Sequence, residues 1–176
     1  MLYKMKNCCS TPTLRSLYFS LFHSHLTYGI LVWGLAKTAL TNKIILLQKR
    51  AIRVVAKADF LAHTDPLFHD MKILKCADQY LLNLASTMWE YDHEIIPKSL
   101  NACFKKPSHS YNTRFARQRK ITPCLYNTKK FGIHSFRHEG TQILNALQDT
   151  GLYNGSFSKK DFINKFKNEI IKAYGN

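Results

Sequence analysis

Apolar residues recur at Leu14, Leu17, Tyr18, Leu21, Phe22, Tyr28, Val32 and Trp33, the three-and-four spacing of one helix face held over more than five turns. Thr11-Pro12 supplies a start, because proline in the first turn lacks only an N–H that would have no partner there, and Gly34 supplies a stop. The spacing predicts one long helix over 11–34. A second helix is predicted over 39–57, with Leu40, Ile44, Leu47, Ala51, Val54 and Ala58 on its apolar face and Lys43, Lys49, Arg50, Arg53 and Lys57 on the other side. Thr64-Asp65-Pro66 opens a short third helix to about Met71. A fourth, over 75–92, is expected to bury Ala77, Leu81, Leu84, Ala85, Met88 and Tyr91.

Between Pro97 and Thr128 the helical period disappears, and Pro, Ser, Asn and Thr interleave with basic residues. Residues 121–126 and 131–136, separated by Asn127-Thr128-Lys129, have the composition of a small hairpin. A short helix is predicted over 142–147 and a last one over 159–174. In the latter, Ser158 and Asp161 stand in capping-box spacing and Phe162, Ile163, Phe166 and Ile170 form the buried face. The expected fold class is therefore mainly α: a helical bundle or array with a small β-hairpin element near 120–137 and a C-terminal helix. Two domains are expected, a helical one over 1–97, and over 98–176 a basic arm, the hairpin and the C-terminal helices.

Charge changes the picture. The 176 residues carry 26 Lys plus Arg against 11 Asp plus Glu, a formal net charge of +15, which attracts polyanions, nucleic acid first and an anionic membrane surface second. The excess is uneven: 1–100 hold 12 basic and 7 acidic side chains, 101–176 hold 14 and 4. At 45% hydrophobic residues the chain is no disordered polycation. The five cysteines (Cys8, Cys9, Cys76, Cys103, Cys124) form no regular framework, which points to a reduced intracellular setting, nucleus or cytoplasm. No run has the length of a signal peptide or a bilayer span, so no membrane role is expected.

The run 14–34, which includes Leu21-Phe22-His23-Ser24-His25-Leu26-Thr27-Tyr28-Gly29-Ile30-Leu31-Val32-Trp33-Gly34, is followed by Leu46-Leu47-Gln48-Lys49-Arg50-Ala51-Ile52-Arg53, His63-Thr64-Asp65-Pro66-Leu67-Phe68 and His109-Ser110-Tyr111-Asn112-Thr113-Arg114. This succession resembles the region C-terminal to the polymerase palm of LINE-type (non-LTR, jockey-like) retrotransposon reverse transcriptases. The resemblance extends from about Thr11 to the end, although 140–148 lack the tryptophan and prolines of a Gly-Pro-x-x-Trp-Asn-x-Leu-Pro block that family members often carry. It implies thumb-like helices and a downstream tail that grip RNA template or product, with the palm as a protein partner. Polymerase chemistry needs adjacent palm aspartates holding two metal ions, and no two acidic residues are adjacent in this chain. The expectation is a non-catalytic fragment without cofactor.

Two sets of residues are candidates for nucleic-acid contact. On the second helix, Lys43, Arg50, Arg53 and Lys57 recur at sevens, threes and fours and suit a row of phosphates, the plain alternative being a solvated face. In the arm, Lys105, Lys106, Arg114, Arg117, Arg119, Lys120, Lys129 and Lys130 have no acidic neighbours, and Tyr111, Phe115 and Tyr126 lie among them as stacking platforms. The plain alternative there is a flexible basic linker. His23 and His25 sit two apart and diverge by roughly 200° on a helix, unlike an i, i+4 metal pair, so no metal is expected. Asp65 with Asp70-Met71-Lys72 has the letters of a nuclease motif, but both carboxylates fall on one short helix. A different function class stays open, a protein-interaction module whose apolar first helix docks on an absent palm, as does an inert transposon remnant.

Overall fold

The computed structural model describes residues 2–35, 38–104, 121, 135–149 and 158–175, and every regular element among them is helical. In chain order these are α1 (Leu2–Met5), α2 (Thr11–Tyr18), a π turn (Phe19–His23), α3 (Ser24–Thr27), α4 (Ile30–Trp33), α5 (Thr38–Val55), α6 (Asp65–Asp70), α7 (Cys76–Asp92), α8 (Lys98–Asn101), α9 (Phe136–Asp149) and α10 (Lys159–Lys172). The mainly α class holds. The hairpin expected near 120–137 lies mostly outside the described residues. Where the chain is described again, Phe136 and Arg137 already belong to α9, so that end of the proposed second strand is helix.

The predicted 11–34 helix is broken twice. Its start is as expected, with Ser10 Oγ accepting the Thr13 N–H and Pro12 in the first turn. Downstream, however, Ser16, Ser20, Ser24 and Thr27 each return a hydroxyl hydrogen bond to a carbonyl three or four residues back. Such back-bonding competes with the helix ladder and bends it. Over Phe19–His23 the ladder slips to π spacing, and at Tyr28 the backbone turns extended before Gly29 takes a left-handed φ of 61°. Tyr28 and Val32, expected on the apolar face, consequently point to solvent. Gly34 does end α4, but not by a left-handed turn, since its φ is −60°. A Cβ there would lie 2.5 Å from the Ile30 carbonyl oxygen and from the Tyr80 ring, so close approach requires the glycine.

The chain divides into two compact units, Met1–Tyr80 with Lys167–Asn176, and Leu81–Phe166. The change of composition at Pro97 falls within the second. The core of the first unit gathers Leu14, Tyr18, Ile52, Val55, Phe68 and Ile73. Complete burial of such side chains contributes about 1.5–3 kcal/mol each. Tyr174, beyond α10, is tied into the same unit. Its hydroxyl donates to the Asp78 carboxylate and accepts the Lys75 N–H, and the Lys75 ammonium lies 4.4 Å from its ring centroid.

The second unit packs Ala85 and Trp89 of α7, Leu147 of α9 and Phe162 of α10 into an apolar cluster. Phe162 and Phe166 stack at 6.0 Å, and the Trp89 ring stacks on His93 at 3.6 Å. The expected Ser158/Asp161 pair opens α10 with half of a capping box, Ser158 Oγ accepting the Asp161 N–H and donating to its carboxylate at 2.6 Å.

Candidate nucleic-acid interface

Helix α5 positions the described half of the candidate site. Its buried residues are Gln48, Ala51, Ile52 and Val55, whereas Leu40 and Leu47 of the expected apolar face are exposed. At 100° per residue the true face is turned by roughly 70° from the expected one. Gln48 explains the difference. Its Nε2 donates to the Leu74 carbonyl at 2.9 Å and to the Tyr18 hydroxyl at 3.1 Å, and its Oε1 accepts the N–H of Cys76, the first residue of α7, at 2.8 Å. A polar residue with every bond made inside the core occupies a place that hydrophobic patterning assigns to solvent. Burial around it raises the Tyr18 phenol to about 12, against the lowering effect of the Gln48 hydrogen bond.

The cationic residues point the other way. Lys43 and Arg50 are exposed, about 10 Å apart along the axis and within roughly 20° of one line, nearly opposite the Gln48 face. Lys57 extends the row just past the helix end. Among the described residues, none of these three forms an ion pair; the acidic groups with described partners are engaged elsewhere, Asp65 with Lys75, Glu90 with Lys159 and Glu169 with Lys172. Arg53 departs from the expectation. It is half-buried, and its Nε donates to the Ala62 carbonyl at 2.8 Å, so it holds a loop as well as carrying charge.

The ends of three helices carry charge where glycine is usual. Lys57, Lys72 and Glu94 have φ of 55°, 52° and 61°. Each sits at the left-handed position of a Schellman turn, with the paired backbone bonds Ala58 to Arg53 and Lys57 to Val54, Ile73 to Phe68 and Lys72 to His69, Ile95 to Glu90 and Glu94 to Tyr91. The helices end close to where the spacing predicts, but no glycine marks these left-handed turns.

Lys105, Lys106, Arg114, Arg117, Arg119, Lys120, Lys129 and Lys130, with Tyr111, Phe115 and Tyr126, lie outside the described residues. The nuclease-like letters come to nothing geometrically. Asp65 is paired with Lys75 at 2.9 Å, which holds its carboxyl below the usual range, and Asp70 contacts His69. His23 is half-buried against Tyr18 and Phe19, and burial, with Lys167 second, lowers its pKa, while His25 is exposed. Among the described residues no three His, Cys, Asp or Glu side chains are placed to share a metal ion, and no helix is long and apolar enough to cross a membrane. Comparison with protein-family models, curated proteins and solved structures finds no match to this chain.

Proposed function

We propose that this chain is a non-catalytic nucleic-acid-binding module, a C-terminal fragment of the kind that follows the palm of a LINE-type reverse transcriptase, and that it grips RNA template or product through phosphate contacts. The observation that carries the reading is the row Lys43, Arg50 and Lys57, exposed on the side of α5 turned from its core and, among the described residues, without ion pairs. Ordinary surface lysines and arginines often have acidic neighbours; a row with no ion pair among the described residues, on a chain of net charge +15, keeps its field for a polyanion. Phosphates meeting these groups release condensed counterions, which supplies affinity without base readout. The arm cations around Arg114, Arg117, Arg119 and Lys120 would add to the same field, and Tyr111, Phe115 and Tyr126 would stack on unpaired bases.

Fluorescence anisotropy with single-stranded RNA and duplex DNA tests the reading, using the full chain, a Lys43→Ala, Arg50→Ala, Lys57→Ala variant, and an arm variant with Arg114, Arg117, Arg119 and Lys120 replaced by Ala. The expected result is binding near physiological salt that weakens by roughly tenfold or more in each variant. Absence of binding to either nucleic acid would contradict the reading.

A further inference from the structure

Tyr3, Leu21 and Phe60 expose apolar surface around one groove of the first unit, about 580 Å³ in volume, floored by Leu2, Phe22 and Val54. One wall is the segment that follows α5, and it is held by two cations: Lys6 Nζ donates to the Ala58 carbonyl at 2.9 Å and Arg53 Nε to the Ala62 carbonyl at 2.8 Å. Among the described residues, Lys6, Arg50 and Arg53 line the groove, against one acid, Asp59. An apolar floor under a cationic rim suits a helix that buries a stripe of leucine-like side chains and carries carboxylates on its flanks.

We infer that this groove docks an acidic amphipathic helix of a partner protein. Charge decides the occupant. Segment 105–134 of this chain carries eight Lys plus Arg and no acid, and a second copy brings a net +15, so both are repelled from a cationic rim. Nucleobases suit the floor poorly, because Leu2, Phe22 and Val54 offer their polar edges no hydrogen bond. Tyr3 and Phe60 are 78% and 71% exposed, far more than folding alone asks of two aromatic side chains beside a groove.

The probe is a labelled synthetic helix of about 18 residues with leucines at i, i+3, i+4 and i+7 and glutamates on its other faces, compared by anisotropy with a scrambled peptide of the same composition. The full chain is set beside a Tyr3→Ala, Phe60→Ala variant, whose mutated side chains are mostly exposed and whose fold is checked by circular dichroism. A Lys43→Ala, Lys57→Ala variant leaves the groove intact. The expected result is that the helix binds roughly tenfold tighter than the scramble, loses roughly tenfold in the Tyr3/Phe60 variant and little in the Lys43/Lys57 variant. Equal binding of the scrambled peptide, or no binding, overturns the inference. So does a single-stranded oligonucleotide whose own affinity falls tenfold in the Tyr3/Phe60 variant, since bases would then occupy the groove. Failure of the helix to bind leaves the phosphate reading of Lys43, Arg50 and Lys57 untouched, because that reading is read out by nucleic acid alone.

Discussion

The cores of the two units are built on different principles. In the first, the Gln48 amide sits among Tyr18, Ile52 and Val55 and makes three directional bonds, to Tyr18, Leu74 and Cys76. In the second, Ala85, Trp89, Leu147 and Phe162 form an apolar cluster, with Phe162 stacked on Phe166 beside it. Apolar burial is non-directional and gains energy from area, whereas a buried amide is satisfied only in one arrangement of the segments it joins. The Gln48 bonds thus fix the register of α2, α5 and the start of α7, and in doing so set which side of α5 is left for Lys43, Arg50 and Lys57.

The largest effect should come from the apolar unit. Trp89→Ala removes the centre of its cluster and is expected to cost about 3–5 kcal/mol in urea unfolding followed by circular dichroism. A much smaller loss would mean that the cluster does not hold that unit together. Gln48→Ala is expected to cost about 3 kcal/mol, because it strands the Cys76 N–H and the Leu74 carbonyl in the core. If Gln48→Ala were neutral, the contrast between a wired core and an apolar one would collapse.

Next comes alkaline pH. The Tyr18 phenol ionises near 10 when unfolded and about 12 when folded, so between those values the unfolded chain binds fewer protons and stability falls as pH rises. The loss should approach about 2 kcal/mol by pH 12, part of the whole-protein alkaline profile, and Tyr18→Phe should remove that part. The smallest effect is a gain: Lys72→Gly relieves a left-handed backbone and should stabilise by roughly 0.5–1 kcal/mol, measured by the same urea titration.

The parts of the fold written in local chemistry were legible in the sequence. Thr11-Pro12, Asp65-Pro66 and the Ser158/Asp161 pair are signals confined to one turn, and α2, α6 and α10 begin where those residues stand. What depends on distant partners was not legible. The orientation of α5 rests on Gln48 bonds to residues 26 to 30 positions away, and the approach at Gly34 rests on Tyr80; the ends of α5, α6 and α7 fall close to where the spacing placed them, but the left-handed turns there use Lys57, Lys72 and Glu94, which ordinarily avoid a positive φ. The cationic side of α5 survived the error in its apolar face, because Lys43 and Arg50 lie far enough from the core that a turn of roughly 70° leaves them in solvent. Arg53 did not have that margin, and it bonds to Ala62 instead.

The decisive measurement is the salt dependence of single-stranded RNA binding for the full chain and for the variant with Ala at 43, 50 and 57. If these three groups contact phosphates, log K falls linearly with log salt, and the slope becomes shallower by about 2 in the variant, close to three contacts at roughly 0.7 each. An unchanged slope would place the phosphate contacts elsewhere and contradict the assignment of this face of α5 as the interface.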